Sequence, residues 1–249
     1  MELSVRGPGP AEPFLGARDL FETEHDLERP VTVAIRTDPG ERTRVSHDAD
    51  GHLLTISQQA TTSAMARELA LHEYAHMHHY EGDHPSHTQS TEEAIFLALA
   101  GRSVERRKLA HVYQIANHMK DIYADDITLD VAPADKLVSF LEASLATAVA
   151  DRPTDPPTWT RLTPASDPEI TAVNAAFALA LVERHDLVPD GHRLYDLAHA
   201  AAADAPSISL SRFKDRFRSL ARDPDESEYR KALVDATRAY VGSGDRAAD

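Results

Sequence analysis

One short stretch of the chain, His72 to His76, constrains its fold more than any other. It reads HEYAH, which has the form HExxH, and residues 64–80 around it contain no Gly or Pro. Ala, Leu, Met and Glu are frequent there, so the segment is predicted to be helical. Residues four apart lie on the same face of a helix, and both imidazoles can therefore reach one metal ion. Glu73 follows His72 directly and could contact a metal-bound water.

The composition limits what else could hold a metal. The 249 residues include no cysteine, which excludes disulfides, thiol catalysis and Cys-based zinc sites, so His, Asp and Glu are the candidate ligands. Hydrophobic residues make up 42% of the chain, enough for a core, and the net charge is −15. Such an acidic, Lys-poor surface repels nucleic acid and anionic membranes. It resembles the proteins of salt-loving archaea, in which acidity keeps proteins soluble at high salt.

Neither a targeting segment nor a membrane span is evident in the sequence. Residues 1–13 have no apolar core that would indicate a signal peptide. Elsewhere no apolar run is long enough to cross a bilayer. We therefore expect a cytoplasmic protein with neither nucleic-acid nor membrane partners.

The order of predicted elements gives an α+β fold that is mostly helical. Residues 1–28 are expected to be an N-terminal lead-in with a short helix. Three strands follow, at Val31–Arg36, Arg42–Ser46 and His52–Ser57, with turns at residues 38–40 and 48–51. They predict a small antiparallel sheet that precedes the HExxH helix at about residues 62–80.

The remainder of the chain is predicted to be helical. A capping box at Ser90–Glu93 opens a helix to about residue 100, and longer helices are expected at about 104–127 and 133–150. Residues 151–166 contain four prolines and are predicted to be a linker. The expected organisation is thus a catalytic domain at 29–150 and a C-terminal helical region at 167–249, whose role and oligomeric state the sequence leaves open.

A catalytic zinc needs a third protein ligand in addition to the two histidines. The metzincin pattern would require glycine at position 79 and histidine at position 82, but the chain has His79 and Gly82. A glutamate shortly after the motif is the thermolysin arrangement. Glu93 is the candidate for it, although it comes early and also belongs to the capping box.

A further pattern places the third ligand in ExxAD on a downstream helix. Here the predicted helix at 104–127 contains DIYAD, from Asp121 to Asp125, which is DxxAD. Together with His72, Glu73 and His76, this resembles gluzincin-type zinc metallopeptidases over about residues 50–130. The resemblance implies that His72, His76 and Asp121 bind Zn²⁺, and that Asp125 orients a zinc histidine through its other ring nitrogen.

The same resemblance suggests further roles. In zincins, an edge strand of the sheet pairs with the extended substrate, and residues 52–57 would be that strand here. His118 shares a helix face with Asp121 and could be an alternative ligand or an oxyanion donor. His79 could line the rim of the cleft. Other residues that could assist the oxyanion are His84, His87 and Tyr123.

The predicted function is zinc-dependent hydrolysis of a peptide or protein substrate, with Glu73 as the general base. One alternative is a non-catalytic zincin-fold protein that binds metal for stability, or acts in interaction or regulation. The shorter Asp121 in place of glutamate favours it. Another alternative is a helical regulator in which the motif is fortuitous.

Overall fold

The computed structural model describes residues 1–150 and 167–242, and it confirms an α+β fold that is mostly helical. The described strands are β1 (Leu3–Arg6), β2 (Val31–Arg36), β3 (Arg44–His47) and β4 (His52–Ser57). The described helices are α1 (Glu12–Phe21), α2 (Gln58–Thr61), α3 (Ala66–Glu81), α4 (Pro85–Thr88), α5 (Thr91–Leu99), α6 (Arg106–Val131), α7 (Asp135–Ala150), α8 (Pro168–Arg184), α9 (Arg193–Ala202), α10 (Leu210–Arg218) and α11 (Glu226–Val241). None of the helices described has an apolar stretch long enough to cross a membrane.

The sheet is mixed, and the prediction of an antiparallel sheet was wrong in this respect. Its strand order is β1-β2-β4-β3, with β1 and β4 both parallel to β2 and only β3 antiparallel to β4. The crossover through α1 makes β1 and β2 parallel. The β3–β4 hairpin then returns the chain so that β4, rather than β3, lies beside β2.

Strand β4 is therefore an inner strand, which corrects its prediction as the substrate-pairing edge. It hydrogen-bonds to β2 on one side and to β3 on the other. All its side chains except Leu53 are buried, as befits an inner strand. The edges of the sheet are β1 and β3.

The turn between β3 and β4 requires a glycine. Gly51 has a φ of +150°, and an added Cβ would lie 2.4 Å from the carbonyl oxygen of Pro30. The side chain of Asp48 accepts hydrogen bonds from the backbone N–H groups of Asp50 and Gly51 at 2.8 and 3.0 Å. The predicted turn at residues 48–51 is thus present.

Residues 1–28 are part of the fold, where the sequence suggested only a lead-in. Strand β1 pairs with β2, and α1 packs against α3. Phe14 and Phe21 of α1 are fully buried, and the hydroxyl of Tyr74 on α3 donates a hydrogen bond of 3.2 Å to the carbonyl oxygen of Phe14. Burial of these rings is a large apolar contribution to the first core.

The described chain divides into two compact units, each formed by two separate segments. The first comprises Met1–Thr88 and Tyr123–Lys136. The second comprises Gln89–Ile122 and the described part of Leu137–Asp249. The predicted linker at residues 151–166 lies outside the described residues.

In the first unit, one face of the sheet packs with α1, α3 and the end of α6 around a common core. The buried members include Val33, Ile56, Leu71, Tyr74 and Ile127. The two faces of α3 therefore differ, because one enters this core and the other carries the polar residues of the HExxH motif.

The second unit is helical, and α8 is its most buried element. Most residues of α8 from Ile170 to Val182 are buried, and it packs against α9 and α10. Asp167 caps its first turn by accepting a hydrogen bond from the backbone N–H of Glu169 at 3.0 Å. Helix α11 (Glu226–Val241) packs on α5.

Candidate metal site

The two histidines of the motif lie one turn apart in the middle of α3. Their Nε2 atoms are 3.0 Å apart, and the rings are nearly perpendicular, at 86°. Both side chains are partly exposed, because the opposite face of α3 carries the buried Leu71, Tyr74 and Ala75. The helix thus presents a pair of imidazole nitrogens on its polar face, as the sequence predicts.

Asp125 on α6 is hydrogen-bonded to the other ring nitrogen of His72. The distance from Nδ1 of His72 to Oδ1 of Asp125 is 2.8 Å. Asp125 is 6% exposed, and its neighbour Ala124 belongs to the core of the first unit. A carboxylate accepts but does not donate, so it places the ring proton of His72 on Nδ1 and leaves Nε2 as a lone pair.

Asp121 lies one turn before Asp125 on the same helix, so the two carboxylates project from the same face of α6. His72, His76 and Asp121 each offer one ligand atom, and these three atoms all lie within 4.8 Å of one another. All three residues are partly exposed. The predicted ligands are therefore brought together.

The donor set fits a zinc ion. Two imidazoles and one carboxylate are typical catalytic zinc ligands, and they leave one position open. With zinc–ligand bonds of about 2.0–2.2 Å, two tetrahedral donors are separated by roughly 3.3 Å, close to the spacing of the Nε2 pair. The carboxylates of Asp121 and Asp125 also make the position attractive to a divalent cation.

Glu73, the predicted general base, follows His72 on α3 and is partly buried. The assignment as a base remains a prediction.

His118, the alternative third ligand, has other contacts within the second unit. Its Nε2 is 2.9 Å from Oδ1 of Asn174, and its ring stacks on Phe177 with centroids 4.3 Å apart. Its Nδ1 lies 3.5 Å from Oδ2 of Asp121. Among the described residues this buried nitrogen has no hydrogen-bond partner, and His118 does not belong to the candidate metal group.

Glu93 is placed differently from the other candidates. It is exposed in the first turn of α5, where its backbone N–H donates a hydrogen bond of 3.2 Å to the hydroxyl of Ser90. This is the capping contact expected from the sequence. Glu93 belongs to none of the candidate metal groups found among the described residues.

The ring of His79 is hydrogen-bonded to a backbone carbonyl group and is not directed at the two histidines of the motif. Its Nε2 donates to the carbonyl oxygen of Tyr123 at 3.0 Å. Burial lowers the pKa of His79 to about 4, so the ring is neutral at pH 7. The side chain of Tyr123 is buried close to His79 and His84.

The sequence did not predict one of the contacts of His76. Nδ1 of His76 is 2.7 Å from Nε2 of His87, which lies on the short helix α4. The sequence suggested His87 only as an oxyanion donor, because the segment at residues 81–90 reads as a polar loop. The fully buried Ser86 beside it gives no signal in the sequence at all.

A second group of potential ligands, His111, Asp167 and Glu169, has a structural explanation. The guanidinium of Arg107 contacts both carboxylates and supplies the compensating positive charge. Nδ1 of His111 is 2.5 Å from the hydroxyl of Tyr240. This network joins α6, α8 and α11 within the second unit, and we assign no metal to it.

Fold and site together define an α+β protein with a group of two histidines and one aspartate that could hold a metal ion. The chain belongs to a family of unknown function, DUF5781, whose profile matches residues 1–242. No curated protein and no solved structure matches the chain significantly.

Proposed function

We propose that this protein is a zinc-dependent peptide hydrolase related in its site to gluzincins. The observation that carries the proposal is the grouping of His72, His76 and Asp121, with the two Nε2 atoms 3.0 Å apart. The hydrogen bond from His72 to Asp125 supports it, because zinc-binding histidines almost always donate their second ring N–H to such a partner.

The chemistry follows from these residues. A bound zinc ion would supply Lewis acidity at the scissile carbonyl and lower the pKa of coordinated water to about 7. Glu73 would take a proton from the attacking water and return it to the amine that leaves. The water oxygen would bond to the carbonyl carbon first, and the C–N bond would then break as the nitrogen takes up the proton from Glu73. Asp125 keeps the His72 ring in the tautomer that exposes Nε2.

A specific observation favours the alternative, a metal-binding protein without hydrolytic activity. Strand β4 is paired on both sides and cannot bind an extended peptide as an edge strand. A substrate would have to pair with β1 or β3, or bind without β-augmentation. The shorter carboxylate of Asp121 also favours this alternative.

The experiment that separates the two proposals uses the zinc-loaded protein and a mixed synthetic peptide library, with cleavage read by mass spectrometry. We expect the wild type to cleave peptides, and Glu73→Gln to retain zinc while losing at least about 100-fold of the rate, as expected for a general base. Glu92→Gln, which changes an exposed glutamate on α5, is the matched control. Zinc binding without any cleavage by the wild type would leave the non-catalytic alternative.

The cytoplasmic location remains a prediction of the sequence.

A further inference from the structure

Beyond the ligands, a chain of hydrogen bonds connects His76 to the segment that follows α3. Nδ1 of His76 is 2.7 Å from Nε2 of His87, and Nδ1 of His87 is 2.7 Å from the hydroxyl of Ser86. The same hydroxyl is 2.7 Å from Nδ1 of His84. Every link lies within the first unit, between the middle of α3 and α4.

One backbone group sets the direction of this chain. The N–H of Ser86 donates to Nδ1 of His84 at 3.3 Å, and a backbone N–H can only donate. Nδ1 of His84 is therefore an acceptor, and the Ser86 hydroxyl must point its proton toward it. The hydroxyl oxygen then accepts from Nδ1–H of His87.

The remaining protons follow from that assignment. Since the proton of a neutral His87 ring is on Nδ1, its Nε2 is a lone pair and accepts from Nδ1–H of His76. Nε2 of His76 is then also a lone pair. It lies 3.0 Å from Nε2 of His72, which the bond to Asp125 likewise leaves unprotonated.

The two ends of the network thus leave two lone pairs directed at one place. No proton of the network lies between them, and such an arrangement is repulsive unless a cation separates the nitrogens. The hydrogen bond to Asp125 explains why Nε2 of His72 carries no proton. The hydrogen bonds from His87 through Ser86 to His84 explain why Nε2 of His76 carries none.

A turn and a short helix bring the residues of this path together. Asp83 adopts the left-handed conformation, with φ of 52°, and turns the chain at the end of α3. Helix α4 then begins at Pro85, and Ser86 is 0% exposed. The carbonyl oxygen of His84 accepts from the backbone N–H of His87 at 2.9 Å, which closes the turn that carries both histidines.

We propose that His87, backed by Ser86 and His84, is a positioning residue that fixes His76 in the tautomer and orientation required to bind the metal. The proposal rests on the metal site of the proposed function, and it adds that this site has two supports, one for each histidine. Neither His87 nor Ser86 would contact the metal or the substrate.

The test measures the state of His76 and the zinc affinity separately. In metal-free protein with ¹⁵N-labelled histidine, NMR should show Nδ1 of His76 protonated and Nε2 unprotonated. The variant His87→Ala should lose this preference and bind zinc about 10–100-fold more weakly, the usual effect of losing such a partner. His87→Gln places an amide oxygen where Nε2 was, so it should restore most of the affinity.

The outcomes distinguish this proposal from the proposed function. A wild type whose His76 carries its proton on Nε2 overturns the positioning chain, whether or not zinc binds. Equal zinc affinities of the wild type and His87→Ala also overturn it while leaving the metal site intact. If His87→Ala does not fold, Ser86→Ala makes the same test, because it removes the hydroxyl at little change in volume and should also weaken zinc binding.

Discussion

Nδ1 of His72 and Oδ1 of Asp125 are joined by a hydrogen bond of 2.8 Å between α3 and α6. This bond connects the HExxH motif to the DxxAD motif, which lie about fifty residues apart in the sequence. It also buries the carboxylate against the core of the first unit, so the histidine is held at a fixed orientation.

Replacement of Asp125 by asparagine should weaken zinc binding about 10–100-fold, because the acceptor that holds Nδ1–H of His72 is weakened. Titration calorimetry against a competing chelator measures this effect. Asp130→Asn changes an exposed carboxylate on the same helix and should leave the affinity unchanged. An Asp125→Asn variant with wild-type affinity would show that the carboxylate only supports packing.

Asp121 can be tested as the third ligand by comparing two substitutions. Asp121→Ala should reduce zinc affinity by more than about 100-fold, since loss of a ligand costs more than loss of an outer partner. Asp121→Glu should retain zinc, because glutamate is the residue found at this place in gluzincins. If alanine is tolerated without loss of affinity, Asp121 is not a ligand.

The packing of α1 leads to a prediction about stability. Phe14→Ala should lower the free energy of unfolding by about 3–5 kcal/mol, because it opens a cavity where the ring is fully buried. The adjacent Leu15 is 38% exposed, and Leu15→Ala should cost only about 0.5 kcal/mol. Urea unfolding of both variants makes the comparison. Equal and small effects would mean that the first residues are indeed a lead-in.

His47 predicts a dependence of stability on pH. Burial, aided by the neighbouring His52, lowers its pKa from 6.5 to about 4, and its ring stacks on Tyr80 at 3.8 Å. The unfolded chain therefore binds more protons between these values, so the contribution of His47 is complete above pH 6.5 and is lost as the pH falls toward 4.

Urea midpoints measured across that window test the effect. His47→Gln should lose less stability on acidification than the wild type, whereas His199→Gln, which changes an exposed histidine on α9, should follow the wild type. Parallel curves for the wild type and His47→Gln would contradict the prediction.

Local patterns predicted much of the fold. Strands β2 and β4 have the predicted bounds, and α5 begins at the predicted cap, Ser90. Alternation and capping depend on neighbouring residues, so they are visible in one sequence. The mixed arrangement of the sheet is not visible in the sequence, because β1 has only four residues and its pairing with β2 is a long-range contact.

The candidate site divides in the same way. Helical spacing was sufficient to place His72 with His76 and Asp121 with Asp125. It gave no indication that His87 contacts His76, because that contact depends on the turn at Asp83 and on a helix of four residues. Nor did it show that His118 binds Asn174, which lies on another helix.

The most direct test of the account is the metal content of the purified protein and of a His76→Ala variant, measured by mass spectrometry after exposure to zinc and removal of excess. The account predicts about one zinc ion per wild-type chain, as expected for a site with three protein ligands, and its loss in the variant. His78→Ala, on the same helix but outside the ligand group, should keep the metal. A wild type that holds no zinc, or a His76→Ala variant that retains it, would contradict the central claim.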